Sequence, residues 1–213
     1  HVGSDRFLPY GMPRNDIFFD ETNKKLQNKI IRDKYGISFN CKIILYAPTW
    51  RDDGRSLDVD NLGHCVDKLN INNPKYVLLY RAHLGDELKC KSNNVINVSS
   101  YLDMQELLCA ADILITDYSS CMWDFSLMFK PCFIYATDID QYKQERDFYT
   151  PMSEWPFPIA TNNEELVNNI INFDEAEYIE KVKQHHKALG SYEDGHATER
   201  VCKLIEKICN GEK

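Results

Sequence analysis

Five short apolar runs, separated by polar stretches, constrain the fold of this chain more than anything else in it. They are Lys42–Ala47, Tyr76–Arg81, Val95–Val98, Asp112–Thr116 and Cys132–Tyr135. Runs this short and this uniformly apolar read as strands buried on both faces, the pattern of a parallel sheet covered by helices. Helices are predicted over Glu21–Tyr35, Asp60–Leu69, Asp103–Ala110, Ser120–Phe129, Asn163–Ile171, Glu175–Leu189 and Gly195–Cys209. Gly36 stands where a helix C′ residue is needed, and Ala197, Val201, Leu204, Ile205 and Ile208 recur at helical spacing. Between the fifth strand and the last helices, Asp138–Thr161 is rich in aromatics and prolines, with Trp155-Pro156-Phe157-Pro158 at its centre. Each Pro removes a donor and restricts the residue before it, so no long regular element is expected there. Strands alternating with helices in this order predict an α/β domain with a doubly wound parallel sheet.

The 213 residues suffice for one such domain with a real core and are too few for two large ones. Residues 1–20, with Gly3, Pro9, Gly11 and Pro13 and no clear period, read as an opening segment leading into a domain over 21–213. A formal net charge of −8 opposes nucleic acid and anionic lipid, and no basic stripe offsets it. A phosphate-bearing small molecule is still admitted, because a local pocket of Arg, His and backbone N–H can oppose the global sign. The eight cysteines are scattered without a C-x-x-C pair, which argues against a zinc site and fits a reducing compartment. No carboxylate cluster has convincing metal-ligand spacing. The sequence shows no signal-peptide pattern and no apolar run long enough to span a bilayer, so the chain reads as cytoplasmic, with peripheral membrane association through other segments left open.

In an open parallel sheet, ligands bind beyond the carboxyl ends of the strands. The residues just past each strand are therefore informative. After the first come Pro48, Thr49, Trp50 and Arg51; after the second, Arg81, Ala82 and His83; after the fourth, Asp117, Tyr118, Ser119 and Ser120. Two serines at a turn into a helix offer hydroxyls and unpaired N–H groups suited to phosphate, whereas Asp117 would repel phosphate and is better placed to order the turn. Helix capping by Asp117 or Ser119 is an equally good reading of the same residues. Arg81 and His83 project to one side of an extended chain end, Arg suiting bidentate phosphate binding and His a donated or shuttled proton. His185 and His186 lie in a Lys-rich helix and are expected to face solvent, and His196 to cap the last helix.

The ordered series Gly11-Met12-Pro13-Arg14-Asn15-Asp16, Leu45-Tyr46-Ala47-Pro48-Thr49-Trp50-Arg51, Arg81-Ala82-His83, Thr116-Asp117-Tyr118-Ser119-Ser120, Asp124-Phe125, Lys130-Pro131, Phe148-Tyr149 and Asp194-Gly195 with Ala197 and Arg200 spans nearly the whole chain. It resembles the C-terminal half of the CDP-glycerol glycerophosphotransferase family, polymerases of teichoic acid and related capsule polymers. The resemblance implies a Rossmann-like C-terminal lobe of the two-lobed glycosyltransferase-B architecture, with the donor nucleotide held mainly by this lobe. It implies transfer of glycerol-phosphate, or a similar polyol-phosphate, from CDP-glycerol or another CDP-polyol to a polymer or lipid-linked acceptor, with CMP released. No cofactor or nucleic acid enters that scheme, and metal dependence is left open by it.

Carried onto matching positions, the resemblance places His83 at the donor pyrophosphate as the catalytic group. Ser119 and Ser120 would hold phosphate, Arg81 and Thr49 would help position it, and Asp117 would order the turn. Arg14 and Asn15 would lie near the cleft between lobes. Acceptor contacts and a second histidine would come from an N-terminal lobe outside this sequence. Two stretches depart from the family pattern, Arg146-Asp147-Phe148-Tyr149 and Trp155-Pro156-Phe157-Pro158, and both bear on the loop that would close over the donor. The alternatives are a nucleotide-sugar glycosyltransferase or epimerase lobe, expected to carry a glycine-rich turn where this chain has Tyr118-Ser119-Ser120-Cys121, and a non-catalytic nucleotide-binding or assembly domain.

Overall fold

The structure, a computed structural model, describes residues 7–49, 59–71, 75–82, 92–145, 148 and 150–211. Six strands form one sheet: β1 Cys41–Tyr46, β2 Lys75–Tyr80, β3 Val95–Asn97, β4 Ile113–Thr116, β5 Cys132–Tyr135 and β6 Ile159–Ala160. Their order across the sheet is β3-β2-β1-β4-β5-β6, and every pairing is parallel. The helices are α1 Glu21–Tyr35, α2 Val59–Asn70, α3 Met104–Ala110, α4 Cys121–Ser126, α5 Ile139–Glu145, α6 Asn163–Ile171, α7 Glu175–Leu189 and α8 Ala197–Cys209.

Alternation along each strand divides the core in two. Ile43, Leu45, Leu79, Leu114, Cys132 and Ile134 face one layer, filled by Ile31 of α1, Leu107 and Leu108 of α3, Phe125 of α4, and Tyr178 and Val182 of α7. Ile44, Tyr46, Leu78, Tyr80, Ile113, Ile115 and Phe133 face the other, against Leu62 and Val66 of α2 and Leu166 of α6. Helices on both faces of a parallel sheet make the doubly wound arrangement, as the apolar runs require. Its two halves grow outward from β1 and β4, so the switch of direction falls between those strands.

β6 and α5 fall inside the stretch expected to lack long regular structure. β6 is only two residues long and comes directly after Pro158. It is defined by its register with β5, Ile134 to Ile159 and Tyr135 to Ala160, which no local pattern encodes. Helix α4 stops three residues short of its predicted end: Phe129 turns left-handed at φ 56, and the chain leaves through Lys130-Pro131.

The described part of the opening segment, residues 7–20, packs onto the domain. Pro13–Phe19 form a 3-10 turn with Asn15 and Phe18 buried. The Asp16 carboxylate accepts from Ala197 N (2.9 Å) and Thr198 N (2.7 Å), and so caps α8 from across the chain. His196 occupies the N-cap position without a side-chain cap bond; the role expected of it is taken by Asp16. Arg200 donates to Tyr10 O at 3.0 Å and pairs with Asp194. Gly195 sits at φ +84, and a Cβ there would come within 2.7 Å of Phe19 Cβ, so only glycine admits this approach.

His185 and His186 turn toward the protein rather than solvent. His185 lies flat on Trp123, with ring centres 4.9 Å apart and planes at 7°, and His186 Nε2 is 2.8 Å from Ser126 Oγ. Aromatic stacking and the Ser126 hydroxyl reward that face of α7, a tertiary gain invisible in its Lys-rich sequence. Burial lowers both histidine pKa values below the ordinary imidazole value, with each other's charge adding to the effect at His186. A base whose folded pKa is depressed gives stability that is complete above its unfolded pKa, about 6.5, and is lost as pH falls from there through the folded value. Urea denaturation should therefore show lower stability at pH 5.5 than at pH 7.5. His186→Asn, which keeps a polar partner for Ser126 but does not titrate, should flatten that dependence; an unchanged slope would remove His186 as a source.

Candidate functional site

The carboxyl ends of β1 and β4 are tied together at the switch point. Thr116 Oγ1 donates to Ala47 O at 2.7 Å, and Ala47 N donates to Ile115 O at 3.1 Å. Asp117, fully buried, then accepts at Oδ1 from both Thr49 N (2.8 Å) and Thr49 Oγ1 (2.7 Å), and from Tyr118 N. Of the two readings open for Asp117, ordering of the turn is the one these bonds support: they run to the loop after β1 and to its own neighbour, not to the body of α4. Ser120 makes no side-chain cap bond, and Ser119 Oγ takes a long 3.5 Å contact from Cys121 N.

On the other side of β1, Arg81 N donates to Tyr46 O and Ala82 N to Ser99 Oγ, both at 2.9 Å. The Arg81 side chain lies over the start of α3, with Nη1 3.3 Å from Met104 Sδ and Nη2 3.5 Å from Leu102 O. These are weak acceptor contacts, and buried Nε has no hydrogen-bond partner. Between these walls lies a cleft of about 720 Å³, lined by Arg14, Pro48, Arg81, Ser99, Ser119, Ser120 and Asp124 among others.

The structure thus brings Arg14, Arg81, Ser119 and Ser120 to one cleft and sets Thr49 and Asp117 in the loop pairing that supports it. Asn15, 2% exposed, lies behind the wall, where its Nδ2 donates to Asp124 Oδ1 at 3.1 Å. His83 lies outside the described residues, as do Trp50, Arg51, Arg146, Asp147 and Tyr149. Sequence reasoning missed Ser99, which belongs to no recognised pattern, and passed over Asp124 as part of a motif without a role. Burial pushes the Cys121 thiol at the cleft up to about 11, so it stands as a protonated apolar neighbour rather than a nucleophile. A second hollow, about 800 Å³, lies between the 150–158 segment, α6 and α7, and none of the described residues just past β1, β2 or β4 lines it.

Residues 1–207 match the family model described as CDP-Glycerol:Poly(glycerophosphate) glycerophosphotransferase. The chain belongs to this family. A teichoic acid glycerol-phosphate transferase of Staphylococcus aureus (strain NCTC 8325 / PS 47) is 34% identical over 97% of this chain and 56% of its own length. The teichoic acid ribitol-phosphate polymerase TarK of the same strain is 29% identical over 95% of this chain and 41% of its own. The chain therefore spans about half the length of such relatives. The solved structure of a histidine variant of the wall teichoic acid polymerase TagF, soaked with CDPG, superposes with a TM-score of 0.84 at 32% identity, covering 99% of this chain and 54% of that one. A UDP-GlcNAc 2-epimerase from Neisseria meningitidis shares the fold alone, with a TM-score of 0.58 at 14% identity over 97% of this chain and 56% of that one. Fold and family agree with the sequence resemblance. Among the described residues no helix is long and apolar enough to cross a membrane.

The site's geometry gives Asp117 and the paired serines separate tasks within one motif: the acid pins the loop after β1 while the serines face the cleft. Asp117→Ala would remove the acceptor shared by Thr49 N, Thr49 Oγ1 and Tyr118 N, and is expected to lower stability by about 2–3 kcal/mol in urea denaturation. Asp117→Asn, which keeps an acceptor oxygen, should cost less than half as much. Equal losses would mean that charge, not the acceptor geometry, holds the two strand ends.

Proposed function

We propose that this chain is the donor-binding half of a transferase that moves glycerol-phosphate, or a similar polyol-phosphate, from a CDP-activated donor to a teichoic-acid-like or capsule polymer or its lipid-linked primer. The observation that carries the reading is the convergence of Arg81, Ser119, Ser120 and the Asp117-pinned Thr49 at the β1/β4 switch point, where open parallel sheets bind ligands. It does so in a chain whose relatives are named for glycerol-phosphate and ribitol-phosphate transfer into teichoic acid.

In this reading an acceptor hydroxyl oxygen forms a bond to the β-phosphorus of the donor, the bridging P–O bond to CMP breaks, and the hydroxyl proton passes to a base. The resemblance offers a histidine of the N-terminal half as a candidate for that base; this chain, with Arg14 of the opening segment as well as the domain over 21–213, holds the donor. Arg81, with a buried Nε unpaired and its other nitrogens only weakly engaged, has guanidinium donors in reserve for the phosphate oxygens. Ser119 and Ser120 add hydroxyl and backbone donors on the facing wall. His83, directly after Arg81-Ala82, is assigned the task of stabilising the leaving CMP. Reactions of this kind depend mainly on holding reactants in line and on opposing the charge that develops, and both tasks suit a rigid cleft with guanidinium groups at its rim. Glycerol and ribitol differ beyond the phosphate, so the polyol is read outside this cluster.

Calorimetry with CDP, CDP-glycerol, UDP and ADP tests the proposal. Cytidine nucleotides should bind best, with dissociation constants between about a micromolar and a millimolar for this chain by itself, or roughly −8 to −4 kcal/mol. ADP binding equal to or tighter than CDP would sink the reading.

A further inference from the structure

Arg14 reaches the cleft from the opening segment, about half exposed, and its guanidinium is gripped from behind. Nε donates to Asp124 Oδ2 at 3.1 Å and Nη2 to Asp124 Oδ1 at 3.2 Å, a fork laid on a carboxylate. Asp124, on α4, is loaded from two further directions: Asn15 Nδ2 donates to Oδ1 at 3.1 Å and Gln105 Nε2 approaches Oδ2 at 3.4 Å. The same Asn15 Nδ2 reaches Glu193 Oε1 at 3.2 Å, and that oxygen also accepts from Met12 N at 3.1 Å. Gly11, at φ +76, makes room for this arrangement, since a Cβ there would stand 3.0 Å from Glu193 Oε2 and 3.1 Å from Tyr192 O. The backbone around Arg14, the acid it rests on and the segment before α8 are thus one bonded unit.

A carboxylate at the edge of an anion site is unfavourable by simple electrostatics, so its presence calls for a compensating role. The geometry supplies one. Asp124 occupies the Nε/Nη2 side edge of the guanidinium and leaves Nη1 and the remaining Nη2 hydrogen at its end, the pair of donors that grips a phosphate end-on. We propose that Asp124 is a positioning residue that presents Arg14 to the donor's phosphates, with Glu193 backing it through Asn15. This inference rests on the reading of the cleft as a donor site. It goes beyond that reading by assigning Asp124, Asn15 and Glu193 one shared task.

The sign of one measurement separates positioning from mere proximity. In the intact protein, Asp124→Asn removes a negative charge next to an anionic ligand, so an idle Asp124 predicts tighter binding of CDP-glycerol in calorimetry. Positioning predicts the opposite, a loss of about tenfold, and no further loss when the same change is made in an Arg14→Ala background. Unchanged or tighter binding, or a tenfold loss that persists without Arg14, would overturn the proposal. Should Asp124→Asn fail to fold, Arg14→Lys carries the test: it keeps the charge but cannot hold acid and phosphate on two edges, so it should also weaken binding about tenfold, and native-like affinity would count against the claim. If the unaltered protein binds no CDP-glycerol, the donor-site reading falls. The Arg14 Nε–H nuclear magnetic resonance signal then decides the positioning claim separately. It should exchange slowly with solvent, and quickly in Asp124→Asn; equal exchange in both would overturn it.

Discussion

Asp117 is fully buried, and the loops on either side of the switch point take their shape from how its carboxylate is satisfied. Its Oδ1 gathers the amide and hydroxyl of Thr49 and the amide of Tyr118. Just before it, Thr116 reaches back to the carbonyl of Ala47. Two loops that belong to different halves of a doubly wound sheet thereby become a single rigid floor. Parallel pairing has already brought the strand ends to one edge; the acid fixes the spacing between the loops that leave them. A buried carboxylate is tolerable only when hydrogen bonds satisfy it, so floor and acid require each other.

From that floor the cleft is assembled by elements distant in sequence. Arg81 arrives on the end of β2, Ser99 from the loop after β3, the serines from the turn into α4, and Arg14 from the opening segment. The last is the most remote contributor, 110 residues from the Asp124 that holds it. Its approach depends on the knot between residues 10–16 and 192–200, where Asp16 caps α8 and Gly11 and Gly195 allow backbone contacts that a side chain would block. The opening segment and α8 are therefore part of the site's architecture, although α8 itself carries none of the residues that line the cleft.

Much of this is legible in the residues. Apolar runs locate β1 to β5 to within a residue or so; β4 and β5 are written that way because they are buried on both faces, while the edge strand β3 is only partly covered. The helices over Glu21–Tyr35 and Glu175–Leu189 keep their predicted bounds, and the structure shows what fixes them: Asp20 and Asp174 accept from the first turns, and Gly36 and Gly190 close the ends in the left-handed region. The strand-end rule leads to Thr49, Arg81, Asp117, Ser119 and Ser120 from position alone. The features that escape it are decided by tertiary partners. β6 exists because β5 offers it backbone hydrogen bonds; α4 ends early because Phe129 turns left-handed ahead of Pro131; His185 turns inward because Trp123 offers a flat face; α8 is capped by an acid from the opening segment. Asp124 is visible as part of a motif, but its task depends on an arginine that only folding brings to it.

The central claim is that the β1/β4 crevice receives the pyrophosphate of a CDP-activated donor. A crystal structure of this chain soaked with CDP-glycerol tests it most directly. Phosphate oxygens should lie within hydrogen-bonding distance of Arg81 and of the Ser119–Ser120 turn, with the Thr49–Asp117 pairing undisturbed beneath them. A nucleotide seated instead in the hollow between the 150–158 segment and α7, with the crevice between β1 and β4 holding only water, would contradict it.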